Sequence, residues 1–266
     1  MGRMSGWLMT AVVAGGLLAG ATGCKSGDAG GHGDAAVSQA ARPARPPLDP
    51  ATLGAVAGTI HFAGKPPERL KIDMSQDPVC SMSSGENAAE QYVVQDGRLA
   101  NVYVYVKSGP AAAMSAPTQT SAPVVLDQVG CRYTPHVIAV MRGGTVEFRN
   151  SDATMHNIHT MPTLVGNEAV DVSQGPKGAP KQKQFKQVEA MIPVRCNNHP
   201  WMNAFINVSD TPFFAVTDAA GRFEIKGLPA GTYTLGAVHE KMGEQTMTVT
   251  VAAKATGKAD FTYAMK

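Results

Sequence analysis

Apolar and polar residues alternate in short runs along most of the chain. Clear examples are NVYVYVK at 101–107, TVEFRN at 145–150, RFEIK at 222–226 and TMTVTV at 246–251. A period of two indicates half-buried β-strands, and the Gly, Pro, Asn and Asp residues between the runs indicate turns. No stretch sustains a period of 3.6 residues, so the pattern predicts an all-β fold of the sandwich type.

The first 24 residues follow a different pattern. Arg3 precedes an uncharged apolar run at 6–20, and small residues at 21–23 lead to Cys24. This is the form of an export signal. Its end resembles a bacterial lipoprotein signal, which implies lipidation of Cys24, although Ala21 stands where Leu is usual. The alternative is an uncleaved membrane anchor. Both interpretations predict an exported cell-envelope protein, on the periplasmic side of the inner or outer membrane.

Residues 25–50 contain mainly Gly, Ala, Asp and Pro, with almost no large apolar side chain. Such a segment cannot bury enough surface to order itself, so we expect a flexible linker between membrane and domain. Residues 166–185 are rich in Gly, Gln and Lys, and we expect a long surface loop there.

Composition narrows the function further. The 266 residues are 44% hydrophobic and 17% charged, which describes a chain that folds. The net charge of +2 gives no support for nucleic-acid binding, which needs a concentrated basic patch. The sequence also lacks P-loop, Gly-x-Ser-x-Gly and His-Glu-x-x-His motifs, so we do not expect an enzyme.

One group of residues carries metal chemistry. The sequence CNNHPWM at 196–202 spaces Cys196, His199 and Met202 closely, and His156 follows the strand predicted at 145–150. Two imidazoles, a thiolate and a weak thioether form the donor set of a blue-copper electron-transfer site. Structural zinc, the main rival, prefers a closed Cys/His tetrahedron and has no use for the methionine.

Residues 122–209 resemble the cupredoxin family of type 1 blue copper proteins, with an amicyanin-like ligand loop. The likeness rests on RYTPHVIAVMRGGTVEFRN at 132–150, HNIH at 156–159 and the Cys-x2-His-Pro-aromatic-Met loop. It implies a Greek-key β-sandwich that holds one type 1 copper. His156, Cys196 and His199 would be the strong ligands, and Met202 the long axial one.

The resemblance also assigns roles around these ligands. Asn157 would bridge the two ligand segments and donate its backbone N–H to the Cys196 sulfur. Asn198 stands where many relatives carry Pro, so it keeps an N–H that could reach the same sulfur. Trp201 would either pack over the site or form part of an apolar docking face around an exposed edge of His199. His159 is shared by amicyanin-like sequences but is not expected to bind copper.

Two of the four cysteines are then left over. With Cys24 assigned to lipidation and Cys196 to copper, Cys80 and Cys131 remain. An even remainder in an oxidising compartment favours a disulfide between them. The alternative is a second metal or redox site that uses Cys131 with the nearby His136.

The flanks resemble another kind of module. Residues 213–266 carry T-D-x-x-G-x-F and G-L-P-x-G-x-Y, as in carboxypeptidase-regulatory-like (transthyretin-like) β-sandwiches, and AGTIHFAGKPP at 57–67 begins similarly. We therefore predict an N-terminal β segment at 51–120, a copper domain at 121–210 and a β-sandwich at 211–266. The first and last could form one discontinuous sandwich, because the C-terminal region alone is small for a stable core.

These features together favour a membrane-tethered electron carrier. It would pass single electrons between a redox donor and a redox acceptor of the cell envelope. The alternative is an envelope lipoprotein that stores or transfers Cu(I), or that binds a partner or carbohydrate, without an electron-transfer role.

Overall fold

This computed structural model describes residues 48–83, 87–116 and 122–265. The predicted signal, Cys24 and nearly all of the linker at 25–50 lie outside these residues. The described helices are a 3-10 turn at Pro50–Thr52, α1 at Pro78–Ser81 and α2 at Ala111–Met114. In this part of the chain no helix has the length and apolarity needed to span a membrane.

Strands dominate the described residues, and the all-β prediction is confirmed. The strands are β1 (Gly54–Ala63), β2 (Val94–Gln95), β3 (Arg98–Leu99), β4 (Tyr103–Ser108), β5 (Val124–Gln128), β6 (Tyr133–Thr134), β7 (Val137–Met141), β8 (Thr145–Asn150), β9 (His156–Thr160), β10 (Asp171–Gln174), β11 (Lys181–Gln184), β12 (Glu189–Arg195), β13 (Asn203–Ser209), β14 (Phe214–Val216), β15 (Arg222–Leu228), β16 (Gly231–His239), β17 (Gly243–Val251), β18 (Thr256–Lys258) and β19 (Phe261–Ala264).

Two sheets of the middle segment form one sandwich. One sheet has the order β10-β9-β12-β13-β7, and the other has the order β11-β8-β5-β6. Alternate residues point inward, as in β8, where Val146, Phe148 and Asn150 are buried. The core between the sheets includes Leu126, Ile158 and Ile206. We call this the copper sandwich, since it carries all four predicted copper ligands.

The remaining strands build a second sandwich from both ends of the chain. In one sheet, β1 pairs with β15, β3, β18 and β19, and the other sheet has the order β14-β4-β16-β17. A Cβ atom on Gly58 of β1 would lie 1.8 Å from the Ala259 carbonyl oxygen. The close approach of these two backbone segments therefore requires glycine at position 58. We call this unit the flanking sandwich.

Residues 71–83 and 87–90, named here the cap segment, leave the flanking sandwich. They pack on the copper sandwich, where Met74 and Cys80 join its hydrophobic core. The predicted N-terminal segment at 51–120 is therefore divided: its strands belong to the flanking sandwich, while its middle covers the copper sandwich.

The surface loop expected at 166–185 contains two short strands. β10 pairs with β9 and β11 pairs with β8, each in antiparallel fashion at the edge of its sheet. The expectation of a plain loop was wrong because edge strands rich in Lys and Gln bury little surface. Backbone pairing holds these strands without an apolar face that the sequence could reveal.

Candidate metal centre

The β12–β13 hairpin carries three of the predicted ligands. Arg195 pairs with Asn203 at the ends of these strands, so residues 196–202 form the connection between them. Within it the Cys196 N–H donates to the Met202 carbonyl oxygen at 3.3 Å, and the Met202 N–H donates to the His199 carbonyl oxygen at 2.9 Å. These bonds fold the connection into a compact loop in which Cys196, His199 and Met202 are all buried.

His156 reaches the same place from the neighbouring strand. It begins β9, whose His159 pairs with Arg195 of β12. The Nδ1 atoms of His156 and His199 lie 2.9 Å apart, and the Cys196 Sγ lies 3.6 Å from the Nδ1 of His199. The sandwich thus brings donor groups from two separate segments to one buried point.

Backbone N–H groups surround the sulfur of Cys196. The Asn157 N–H donates to it at 3.3 Å. Burial by itself raises the pKa of the thiol. Hydrogen bonds from the His156 side chain and from the backbone of Asn157, Asn198 and His199 outweigh burial and lower the pKa to about 7. The N–H of Asn198 is thus one of the groups that lower the pKa of this thiol.

Each histidine also contacts a carboxylate through its other ring nitrogen. The Nε2 of His156 lies 2.8 Å from the Asp152 Oδ2, and the Nε2 of His199 lies 3.1 Å from the Asp77 Oδ2. Hydrogen bonding to its neighbours outweighs burial and lowers the pKa of Asp77 to about 2. An ionised carboxylate only accepts hydrogen bonds, so both Nε2 atoms donate and both Nδ1 atoms face each other.

The surroundings of His156 favour the protonated form of its ring. Burial would lower the pKa of His156, but the hydrogen bonds to Asp152 and Cys196 outweigh burial and raise it to about 9. Metal binding replaces this proton, because an imidazole ligand must be neutral.

A disulfide joins Cys80 of the cap segment to Cys131 of the β5–β6 turn. Gly130 and Cys131 both have positive φ, as a two-residue type I′ hairpin requires. This turn aims the N–H groups of Gly130 and Cys131 at the Asp152 carboxylate, at 2.7 and 2.8 Å. With Cys131 in this disulfide, it offers no free thiol for the alternative second metal site.

The other proposed metal-site residue, His136, has a different partner. Its Nε2 lies 2.7 Å from the Glu240 Oε1, where the two sandwiches meet, and both side chains are buried. It serves as a polar contact between the copper sandwich and the flanking sandwich.

The remaining predicted residues lie close to the ligands. The Trp201 ring lies 5.1 Å from the His199 ring, and its Nε1 donates to the Cys131 carbonyl oxygen at 3.1 Å. The Asn157 side chain donates to Asp171 at 3.0 Å, and the Asn197 side chain donates to the same carboxylate at 3.2 Å. The two ligand segments are thus joined through Asp171, a residue that the sequence did not single out.

His199 differs from expectation in its exposure. The family resemblance implied a bare imidazole edge, yet His199 is only 4% exposed. Asp77 and the cap segment cover it. No local pattern marked Asp77, since it lies over a hundred residues from its partner; the available signal was the Asp-Pro-x-Cys sequence ahead of Cys80.

The donor atoms of His156, Cys196 and His199 lie close enough together for one small metal ion. Metal–nitrogen bonds of about 2 Å and metal–sulfur bonds of about 2.3 Å place ligand atoms roughly 3.5–3.8 Å apart. The Sγ–Nδ1 distance of 3.6 Å falls in that range, whereas the two Nδ1 atoms, at 2.9 Å, lie closer together than bound ligands would. All three donor atoms lie within 4.8 Å of one another. One thiolate and two imidazoles beside a buried methionine are the donors that copper prefers.

Comparisons with known proteins give partial matches. The carboxypeptidase regulatory-like domain family matches residues 194–264, a range that begins in β12 and runs through the C-terminal strands of the flanking sandwich. No curated protein matches the chain.

Solved structures match the chain at low similarity. The Cu(I) form of an amicyanin mutant is 22% identical, with 41% of this chain and 99% of that chain covered, at a TM-score of 0.30. A purple cupredoxin from Nitrosopumilus maritimus is 20% identical over 32% of this chain and 99% of that chain, at a TM-score of 0.27.

A larger enzyme also matches in part. The copper-containing nitrite reductase from Thermus scotoductus SA-01 is 24% identical over 36% of this chain, at a TM-score of 0.30. This chain covers 24% of the length of that enzyme.

Proposed function

We propose that this protein is a type 1 copper protein that carries single electrons between a redox donor and a redox acceptor in the cell envelope. One observation carries the proposal: His156, Cys196 and His199 are all buried, and their donor atoms lie within 4.8 Å of one another. A bound copper ion would supply the one-electron couple. The protein supplies the donor atoms and the apolar surroundings that exclude water.

Fast electron transfer requires ligands that stay in place when the charge of the site changes. Asp152 and Asp77 hold the two imidazoles, and backbone N–H groups hold the Cys196 sulfur. These contacts come from the protein itself, so the fold positions the donor groups. A preorganised site of this kind supports electron transfer with little rearrangement.

We propose no enzymatic activity for the site. If Met202 joined His156, Cys196 and His199 in holding a copper ion, protein side chains would supply all four ligands. Substrate would then find no open coordination position.

We propose that this chemistry takes place outside the cytoplasm, with a lipid on Cys24 as membrane anchor, because the first 24 residues have the form of an export signal. The Cys80–Cys131 disulfide supports an oxidising compartment, where such bonds persist. The partners would then be redox proteins of the cell envelope.

The test is the absorption and electron paramagnetic resonance spectra of the full protein, purified from the cell envelope in detergent and loaded with Cu(II). We expect an intense thiolate-to-copper charge-transfer band and reversible one-electron reduction. Cys196→Ser, the matched control, should lose the band, because it lacks the thiolate. If the protein binds only Cu(I) and stays colourless, the electron-carrier function is excluded and the alternative function, Cu(I) storage or transfer, is favoured.

A further inference from the structure

The outer edge of His199 is enclosed by residues from outside the family-like region. Its Nε2 lies 3.1 Å from the Asp77 Oδ2 and 3.8 Å from the Cys80 Sγ, and both neighbours belong to the cap segment. The Trp201 ring also lies close, with its centroid 5.1 Å from that of the His199 ring. A copper-sandwich sequence alone would leave this edge without Asp77 and Cys80.

We infer that Asp77 is a positioning residue for the metal site. It holds His199 with Nδ1 directed at Cys196 and His156, and it seals the outer edge of the imidazole. The inference rests on the proposed function only in taking these three residues as metal ligands. It requires no particular electron partner.

Asp77 is itself held in place by hydrogen bonds to both oxygens. Its Oδ1 caps α1 by accepting from the Val79 and Cys80 N–H groups at 2.8 and 3.2 Å. Its Oδ2 accepts from the Thr154 hydroxyl at 2.9 Å and faces His199. With Oδ1 committed to the helix cap, Oδ2 can point only at Thr154 and His199.

The donor and acceptor roles fix the tautomer of His199. Asp77 offers only acceptors to the ring, so the Nε2 of His199 carries the hydrogen. The Nδ1 then presents its lone pair to the ligand cluster, 3.6 Å from the Cys196 Sγ. A carboxylate behind a ligating histidine also raises the basicity of the ligand.

The disulfide ties the two carboxylates into one frame. Asp77 accepts from the N–H of Cys80, and Asp152 accepts from the N–H of Cys131. Cys80 and Cys131 are bonded to each other. Each half of the disulfide therefore anchors the carboxylate that contacts one ligand histidine.

Asp77→Asn is the decisive substitution. Asn is as good a helix cap as Asp, so its oxygen stays on the Val79 and Cys80 N–H groups. The amide NH2 then replaces Oδ2 and offers the Nε2 of His199 a donor in place of an acceptor. The helix cap survives, while the hydrogen bond that sets the His199 tautomer is reversed.

We expect Asp77→Asn to weaken Cu(I) binding about 10- to 100-fold, the usual effect of losing such a ligand-orienting contact. The measurement is competition with a chromophoric Cu(I) chelator, on the full protein in detergent. Nitrogen-15 NMR of the metal-free protein should show hydrogen on the His199 Nε2 in the wild type and its loss from Nε2 in the variant.

Asp73→Asn is the matched control. Asp73 belongs to the same cap segment and caps a local turn through the Ser75 N–H at 2.9 Å, but it is exposed and the bond is local. It should leave Cu(I) affinity and the His199 tautomer unchanged. Equal loss in both variants, or Cu(I) affinity in Asp77→Asn within about threefold of the wild type, would overturn the inference.

The result is separable from the proposed function. A colourless wild-type protein would exclude the proposed electron-carrier function. A Cu(I) affinity that depends on Asp77 would still support the positioning role of Asp77. A blue wild-type protein with an unaffected Asp77→Asn variant would remove only the role of Asp77.

Discussion

The sulfur of Cys196 accepts the Asn157 N–H at 3.3 Å and lies near other backbone N–H groups. Asn157, Asn198 and His199 each contribute an N–H that stabilises the thiolate and lowers its pKa. Hydrogen bonds to a ligating thiolate withdraw electron density from the metal and tune its potential. Among these three donors, Asn198 stands where many relatives of the resembled family carry Pro.

Replacing Asn198 with Pro should therefore lower the midpoint potential of the copper-loaded protein. Pro has no N–H, so the thiolate regains electron density and stabilises Cu(II) over Cu(I). Spectroelectrochemical titration measures the shift, with Asn198→Ala as the control that keeps the N–H. A midpoint that stays unchanged or rises in the Pro variant would show that this bond does not tune the site.

The four predicted ligands stand out in the sequence because three lie on one short loop and the fourth follows a strand with clear alternation. Asp77 and Asp152 could not be identified in this way. Asp152 gave a weak signal, four residues before His156, and Asp77 gave none that connects it to His199. A carboxylate that serves a distant ring leaves no periodic pattern in its own segment.

The cap segment joins the copper sandwich through one covalent bond. The Cys80–Cys131 disulfide closes a loop with a sequence separation of 51 residues, and both sulfur atoms are buried. Without this bond, α1 and Asp77 depend on noncovalent contacts alone. The disulfide should therefore matter for stability as well as for the metal site.

Replacing Cys80 and Cys131 together with Ala should destabilise the metal-free protein by about 4 kcal/mol, from the entropy of closing a loop of this size. Urea unfolding of the wild type and the double variant measures the difference. Asp73→Asn serves as a cap-segment control that leaves the disulfide intact. A loss below about 1 kcal/mol would mean that the cap segment is held mainly by its noncovalent contacts.

His239, at the end of β16, gives the flanking sandwich a dependence on pH. It is 1% exposed, its Nδ1 accepts from the Lys241 N–H at 3.2 Å, and its Nε2 has no hydrogen-bond partner in the described residues. Burial lowers its pKa to about 4. The unfolded chain takes up a proton near pH 6.5, whereas the folded chain resists protonation until about pH 4.

Stability should therefore fall as the pH drops from 6.5 towards 4. Between pH 7 and pH 5, His239 alone should cost about 2 kcal/mol of the free energy of unfolding. His239→Gln cannot take up the proton and should lose that part of the pH dependence. Urea unfolding of both proteins at the two pH values gives the comparison; identical slopes would exclude His239 as the cause.

Alternation predicted the central strands well, because each has one face on a core. TVEFRN coincides with β8, and RFEIK and TMTVTV lie within β15 and β17. The edge strands β10 and β11 were not predicted from this alternation, because their side chains are largely polar. The pattern could not show that the cap segment leaves one sandwich for the other, since a short helix and a disulfide make that contact.

The flanking sandwich depends on both ends of the chain. β1 contributes Val56, Ile60 and Phe62 to its core and pairs with β15, β18 and β19. The C-terminal strands alone therefore lack the strand around which one of their two sheets is built.

A fragment of residues 211–266 should accordingly be unfolded in isolation. Removing β1 and β4 takes away the partners of β14, β15, β18 and β19 and exposes their apolar faces. The proton NMR spectrum of the fragment should lack dispersed amide signals, whereas a chain of residues 48–266 should show them. A cooperative thermal transition in the short fragment would contradict this dependence on the N-terminal strands.

The partnership of the first and last strands also sets the order of assembly. A chain that emerges N-terminus first delivers β1 long before β19, which it must join in parallel. The intervening copper sandwich can fold before β1 pairs with the C-terminal strands, because its sheets use only strands from β5 to β13. The ligand pocket can thus mature first, and completing the flanking sandwich becomes a late step that only a full-length chain can take.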